Sequence, residues 1–188
     1  MSLNTRKTIF PKESKERQLM IDIETTKLDG VKKIINIDSF EDVRGEYVET
    51  YNKKLYFDNG VLIDFVQDDY SWSTKGVLRG LHGDSKTWKL VSCPYGKYYL
   101  AVIDLDVNSP TYGKWDSFVL SDTNKEQVLI PPNHANGHLI LSEKAIFQYK
   151  QSEYYASGEQ FTVSYNDPKY NIWWPIKSPI LSQRDECL

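Results

Sequence analysis

Three histidines, His82, His134 and His138, are the only side chains in the chain whose ordinary titration falls near neutral pH. They are the natural places to look for proton transfer. His82 stands in Arg79-Gly80-Leu81-His82-Gly83-Asp84, after a strand-like run and between glycines. That setting suits a side chain held at a pocket mouth, and equally a surface histidine beside a turn. His134 and His138 lie in Pro131-Pro132-Asn133-His134-Ala135-Asn136-Gly137-His138. Two histidines so close raise the question of a metal, which would need further ligands nearby. No histidine follows His138, and His82 has no paired neighbour, so no metal is expected. On their own, His134 reads as a solvated loop residue and His138 as a strand residue hydrogen-bonded in the interior.

Tyr149 lies in Ala145-Ile146-Phe147-Gln148-Tyr149-Lys150. Period-two alternation puts it on the face of Ala145 and Phe147, the inward one, where its hydroxyl needs a partner or a pocket. Lys89 shares a strand face with Val91 and Cys93, an unusual place for an ammonium group and a hint of a pocket charge. Arg44 and Arg79 each stand beside a glycine, and either could reach a phosphate. Asp167, between Asn166 and Pro168, reads by itself as a turn residue.

The elements that must hold these groups are short strands. Runs rich in Val, Ile, Tyr and Phe predict strands at Val31–Ile37, Tyr47–Tyr51, Leu62–Asp69, Gly76–Gly80, Trp88–Pro94, Lys97–Asp104, Trp115–Ser121, Gln127–Ile130, His138–Leu141, Ala145–Gln151 and Glu159–Ser164. Turn signals such as Asp58-Asn59-Gly60 and Asn108-Ser109-Pro110 separate them. Many short strands at close spacing predict a sandwich or barrel. The 188 residues suit one domain with an arm. Residues 1–26, rich in Lys and Glu, read as that arm, with a short helix over Lys12–Ile23, or as a disordered extension. Residues 27–188 read as the folded domain, ending in an irregular tail whose Trp173 and Trp174 pack on the body.

Composition narrows the function. A net charge of −3 argues against a nucleic-acid partner. No apolar run approaches the roughly 18 residues of a membrane span. Two cysteines, Cys93 and Cys187, are too few for a disulfide framework, and Cys93 reads as a buried small hydrophobe. Residues Met1 to Arg17 contain no signal-peptide core, so the expected compartment is the cytoplasm.

Taken together, the motifs resemble the dTDP-4-dehydrorhamnose 3,5-epimerase family. They run in order from Asp42-Val43-Arg44-Gly45 and Glu49 through Phe65-Val66-Gln67-Asp68-Asp69, Val77-Leu78-Arg79-Gly80-Leu81-His82 and Lys89-Leu90-Val91. Ser109-Pro110-Thr111-Tyr112-Gly113-Lys114-Trp115, Tyr149-Lys150, Asn166-Asp167-Pro168, Trp174-Pro175 and Leu181-Ser182 follow. The match covers about Val31 to Asp185. It implies an all-β fold, a cupin-like jelly-roll β-sandwich with an N-terminal arm, assembled as a homodimer. The implied partner is a nucleotide-diphospho-4-keto sugar, epimerised at C3, C5 or both without a cofactor, for surface polysaccharide biosynthesis. His82 matches the general base, Asp167 the carboxylate that orients it, Tyr149 the acid on the opposite face of the sugar, and Lys89 the cation near the keto oxygen. Arg44, Glu49, Gln67 and Arg79 match positions that hold the nucleotide diphosphate.

The chain departs from the family pattern in several places. Ala135-Asn136-Gly137-His138 stands where the family usually has Ala-His-Gly-Phe, so a pocket histidine becomes Asn136. Gln67-Asp68-Asp69 stands for Gln-Asp-Asn, which places a carboxylate, Asp69, in the substrate-binding set beside Asn136. The loop after His82 is shorter, and the arm is extra. These changes point toward another 4-keto sugar, a deoxyhexose or heptose carried on dTDP, GDP or CDP. Two alternatives stay open: a ketoisomerase working through the same enolate, and a sugar-nucleotide-binding cupin without catalysis.

Overall fold

A computed structural model describes residues 21–37, 39–156, 158 and 160–186. Thirteen strands and two short helices are assigned among them. Strands β1 (Asp22–Thr25), β2 (Lys32–Ile35), β5 (Gln67–Thr74), β7 (Lys89–Tyr95), β10 (Gln127–Ile130) and β12 (Lys144–Gln151) form a six-stranded sheet in the order β1-β2-β10-β7-β12-β5. Strands β6 (Leu78–Gly83), β8 (Lys97–Asp104), β9 (Trp115–Ser121), β11 (His134–Ile140) and β13 (Phe161–Thr162) form a five-stranded sheet in the order β13-β6-β11-β8-β9. All the ladders within them are antiparallel. The two sheets pack face to face as the expected jelly-roll sandwich. A separate ribbon, β3 (Ser39–Asp42) and β4 (Gly45–Val48), stands apart from both.

Alternation along the strands builds three apolar layers. Val91 and Cys93 of β7, Leu100 and Val102 of β8, and Ala145 and Phe147 of β12 meet between the sheets. Tyr99, Ala101 and Ile103 face the other way and pack beneath the C-terminal segment, with Ile172 and Trp174. Leu90 and Leu129 cover the outer face of the six-stranded sheet together with Ile34 and Tyr56. Strand β8 is therefore buried on both faces, which is why it reads as a continuous apolar run. Each fully buried Leu or Ile in these layers contributes about 1.5–3 kcal/mol.

Several sequence expectations shift. Asp22–Thr25 is an edge strand paired with β2, so the described end of the expected Lys12–Ile23 helix is extended; the rest of that helix lies outside the described residues. The expected strand at Leu62–Asp69 begins only at Gln67. Helix α1 (Lys53–Asp58) was not legible, because its six residues are too few to show a helical period; Asn52 caps it by accepting from Leu55 N. His134 is buried, its Nδ1 3.0 Å from the Pro132 carbonyl, rather than solvated. Among the described residues, no helix is long and apolar enough to cross a membrane.

One close approach shapes the site. At Gly80 (φ +121°) an added Cβ would lie 2.5 Å from the Gly137 Cα, so β6 and β11 touch backbone to backbone there. The register between them shifts between Asn136 and His138. This bulge leaves Arg79 and His82 on one strand, and Asn136 and His138 on the other, facing the six-stranded sheet.

Candidate active site

A cavity of about 210 Å³ opens between the sheets, with Arg79, His82, Asn136 and His138 on one wall and Lys89, Phe147 and Tyr149 on the other. Five of the ten residues expected from sequence are thus brought together: His82, Tyr149, Lys89, Arg79 and Asn136. A cavity of about 240 Å³ beside the ribbon, lined by Ile37, Val48 and Cys93, holds no histidine, and its Glu46 is already paired with Lys125 at 2.9 Å.

The base comes from β6. One ring nitrogen of His82, Nε2, lies 3.1 Å from Asp185 Oδ1; the other, Nδ1, lies 3.3 Å from Thr162 Oγ1. Burial, and secondarily the Arg184 charge, hold His82 below its ordinary pKa of 6.5, while Asp185 pulls in the opposite direction. The imidazole is therefore neutral at pH 7 and able to take a proton.

The carboxylate beside this histidine is Asp185, not Asp167. Asp167 sits in the turn after β13, where its Oδ1 accepts from Lys169 N at 2.8 Å and its carbonyl accepts from Tyr170 and Asn171. Its side chain is used by that turn. Asp185 instead lies in helix α2 (Gln183–Glu186), 4% exposed. Ser182 Oγ donates to its Oδ2 at 3.0 Å, and the preceding segment is tied to β6 by Leu78 N to the Ile180 carbonyl at 2.9 Å. The C-terminal tail is thereby pinned beside the strand that carries His82. A readable signal was present: Ser182-Gln183-Arg184-Asp185 has the Ser-x-x-acid spacing of a helix start. Arg184, Tyr155 and Gln160, also at the cavity, had none.

The opposite wall holds the acid and a cation. Tyr149 is pushed up to about 12, chiefly by burial and then by the neighbouring Asp69 charge, so its phenol keeps its proton at neutral pH. Lys89, 9% exposed, is lowered from 10.5 by burial, partly offset by Asp84. Arg79 is braced by its Nε donating to Ser73 Oγ at 3.1 Å.

The remaining expected residues lie outside the cavity lining. Gln67 and Asp69 are on β5, opposite Gln151 and Tyr149 in the ladder; Asp69 Oδ2 accepts from Gln67 Nε2 at 2.6 Å and from Gln151 Nε2 at 2.9 Å. The carboxylate is occupied in positioning its neighbours. Arg44 is exposed at the turn of the ribbon and paired with Asp42 at 2.5 Å. Glu49 accepts from Asn52 Nδ2 at 3.0 Å at the start of α1. Neither lines the cavity: Arg44 belongs to the separate ribbon, and α1 packs on the outer face of the six-stranded sheet.

A half-buried base with a carboxylate behind it, a cation, and a protonated phenol on the facing sheet can move protons on carbon next to a carbonyl. Known proteins agree with this chemistry. A family model described as dTDP-4-dehydrorhamnose 3,5-epimerase matches residues 25–188. The dTDP-4-dehydrorhamnose 3,5-epimerase of Shigella flexneri is 40% identical over 150 residues, 78% of this chain and 83% of that protein. The solved structure of a dTDP-4-dehydrorhamnose 3,5-epimerase from Bacillus anthracis with TDP and PPi bound superimposes with a TM-score of 0.85 at 36% identity, covering 90% of this chain and 98% of that one. A dTDP-6-deoxy-D-glucose-3,5-epimerase from Legionella pneumophila, solved in complex with dTDP-4-keto-L-rhamnose, gives 0.84 at 38% identity, covering 89% and 91%. With the family model spanning nearly all of the described residues, the chain belongs to the dTDP-4-dehydrorhamnose 3,5-epimerase family of carbohydrate epimerases.

Proposed function

We propose that the chain inverts C3, C5 or both of a nucleotide-linked 4-keto sugar, using its own side chains as base and acid. The observation that carries this reading is the placement of His82 and Tyr149 on facing sheets, across one cavity. His82 takes the proton from the carbon beside the ketone. The negative charge moves onto the keto oxygen, where the Lys89 ammonium opposes it. Tyr149 returns a proton from the other side, which inverts the centre. Asp185 keeps the imidazole in one orientation and stabilises it once protonated.

A second copy of the chain fits the exposed apolar surface. Phe40, Val43 and Tyr47 of the ribbon, and Tyr70 and Trp72 on the edge strand β5, stand largely in solvent. Such an edge is normally covered, and homodimer formation covers it. The nucleotide and its diphosphate enter past Arg79, and the reaction runs in the cytoplasm.

The test is product analysis by NMR after incubation with dTDP-, GDP- and CDP-linked 4-keto sugars. An epimer of the substrate is expected. A ketone moved to the adjacent carbon would instead mark a ketoisomerase, and unchanged sugar despite binding would mark a binding module. The pH profile adds a check. Because His82 must be neutral, kcat/KM is expected to rise with pH through a limb centred below 6.5 and to fall again only at alkaline pH, as Lys89 loses its proton below 10.5. An acid limb centred above 7 would contradict His82 as the base.

A further inference from the structure

Two side chains of the cavity have no part in the acid–base scheme. Asn136 and His138 lie on β11, turned to the same side as His82 and Arg79 across the bulge. They are 8% and 4% exposed. Asn136 Oδ1 and His138 Nε2 are buried and have no hydrogen-bond partner among the described residues. Unpaired buried polar atoms are costly, so a pair of them on the wall of a cavity points to a ligand that satisfies them. The imidazole cannot easily swing away to find another partner. It stacks on Phe147 with centroids 3.9 Å apart and planes 3° from parallel, and Tyr98 lies 5.6 Å away.

The chemistry of the two atoms selects the ligand. Asn136 Oδ1 only accepts, so it needs a donor. His138 is held neutral, down at about 3, chiefly by burial and then by the positive Arg79, so its Nε2 either donates or accepts according to tautomer. A methyl group serves neither atom. A ketone oxygen cannot donate to Asn136. An ammonium group would share the cavity with Arg79 and Lys89. A hydroxyl both donates and accepts, and carries no charge.

We propose that Asn136 and His138 form a polar subsite for hydroxyl groups of the sugar, which makes the chain selective for a 4-keto sugar that keeps a hydroxyl where a deoxygenated relative has hydrogen. The inference rests on the epimerase reading, which puts a sugar in this cavity.

Calorimetric binding of stable nucleotide sugars to the full chain tests it without needing turnover. The matched probes are dTDP-glucose against its 6-deoxy and 2-deoxy forms, and GDP-mannose against GDP-6-deoxymannose. Loss of one of these hydroxyls is expected to weaken binding by about tenfold or more, the direction seen when a site built for a hydroxyl meets an analogue without one. The double variant Asn136→Ala, His138→Phe is expected to shrink that discrimination to within about threefold, and His138→Gln, which keeps a polar group, to retain part of it. Equal binding of parent and deoxy sugars to the unaltered protein would overturn the subsite and leave the epimerase reading standing. So would full discrimination by a folded double variant. Binding of none of the probes would overturn the subsite and leave the epimerase reading to the product analysis.

Discussion

Replacing Asp185 with asparagine is expected to lower kcat/KM by about 10²–10⁴-fold, while Asp167→Asn leaves it within about twofold. The contrast follows from position. Asp185 is 3.1 Å from His82 Nε2 and almost wholly buried, so its charge acts on the imidazole with little screening. Burial and Arg184 already press His82 toward the neutral form. Without the carboxylate nothing offsets them, and the imidazolium that forms on proton abstraction is left unsupported. Asparagine also offers an amide that can favour the wrong tautomer. Asp167 touches only its own turn. Because Ser182 and Asp185 also shape α2, thermal unfolding should accompany the kinetics; a cooperative transition near that of the unaltered protein assigns the loss to chemistry. His82→Ala should cost a similar factor, and the double variant little more than either single, since the two act as a unit. Full activity of Asp185→Asn, or collapse of Asp167→Asn, would reverse the assignment.

The second large effect is expected at Tyr149. Tyr149→Phe removes one oxygen and keeps the ring, including its 5.4 Å contact with Phe147, so the sandwich should be undisturbed. Formation of epimer is expected to fall by about 10²–10⁴-fold, the usual weight of a general acid. Proton removal is a separate matter, because His82 and Lys89 remain. In deuterated water the variant should still exchange the proton beside the ketone while returning the original configuration. Loss of both exchange and epimer would assign Tyr149 to proton abstraction or to binding, and unchanged turnover would remove it from the mechanism.

Much of this arrangement can be read from residue order. Lys97–Asp104, Trp115–Ser121 and Gln127–Ile130 are strands with the bounds their apolar runs predict, because each run is set off by residues that break a strand. The inward faces of β7 and β12, and so of Lys89 and Tyr149, follow from period-two alternation. Alternation fails at β6, where Arg79 and His82, three residues apart, face the same cavity. The extra residue of β6 around Gly80 puts both Arg79 and His82 on the cavity side, opposite Asn136 and His138, and a bulge depends on the partner strand rather than on local pattern. Asp185 was missed for a related reason. Its closeness to His82 joins positions 103 residues apart through an irregular tail that carries no periodic signal, and Asn166-Asp167-Pro168 offered a carboxylate inside a more conspicuous motif. Arg44 sits at the turn of the ribbon and Glu49 just before α1, and no periodicity specifies how either element stands to the cavity.

The most direct test of the central claim is proton exchange catalysed by the unaltered protein. A nucleotide-linked 4-keto sugar that the protein converts is incubated with it in deuterated water, and C3 and C5 are followed by NMR and mass. Enolate chemistry between His82 and Tyr149 predicts deuterium at every inverted carbon, delivered to the new face, with His82→Ala abolishing it. An epimer formed with its original hydrogen retained, or exchange untouched by the loss of His82, would contradict the account.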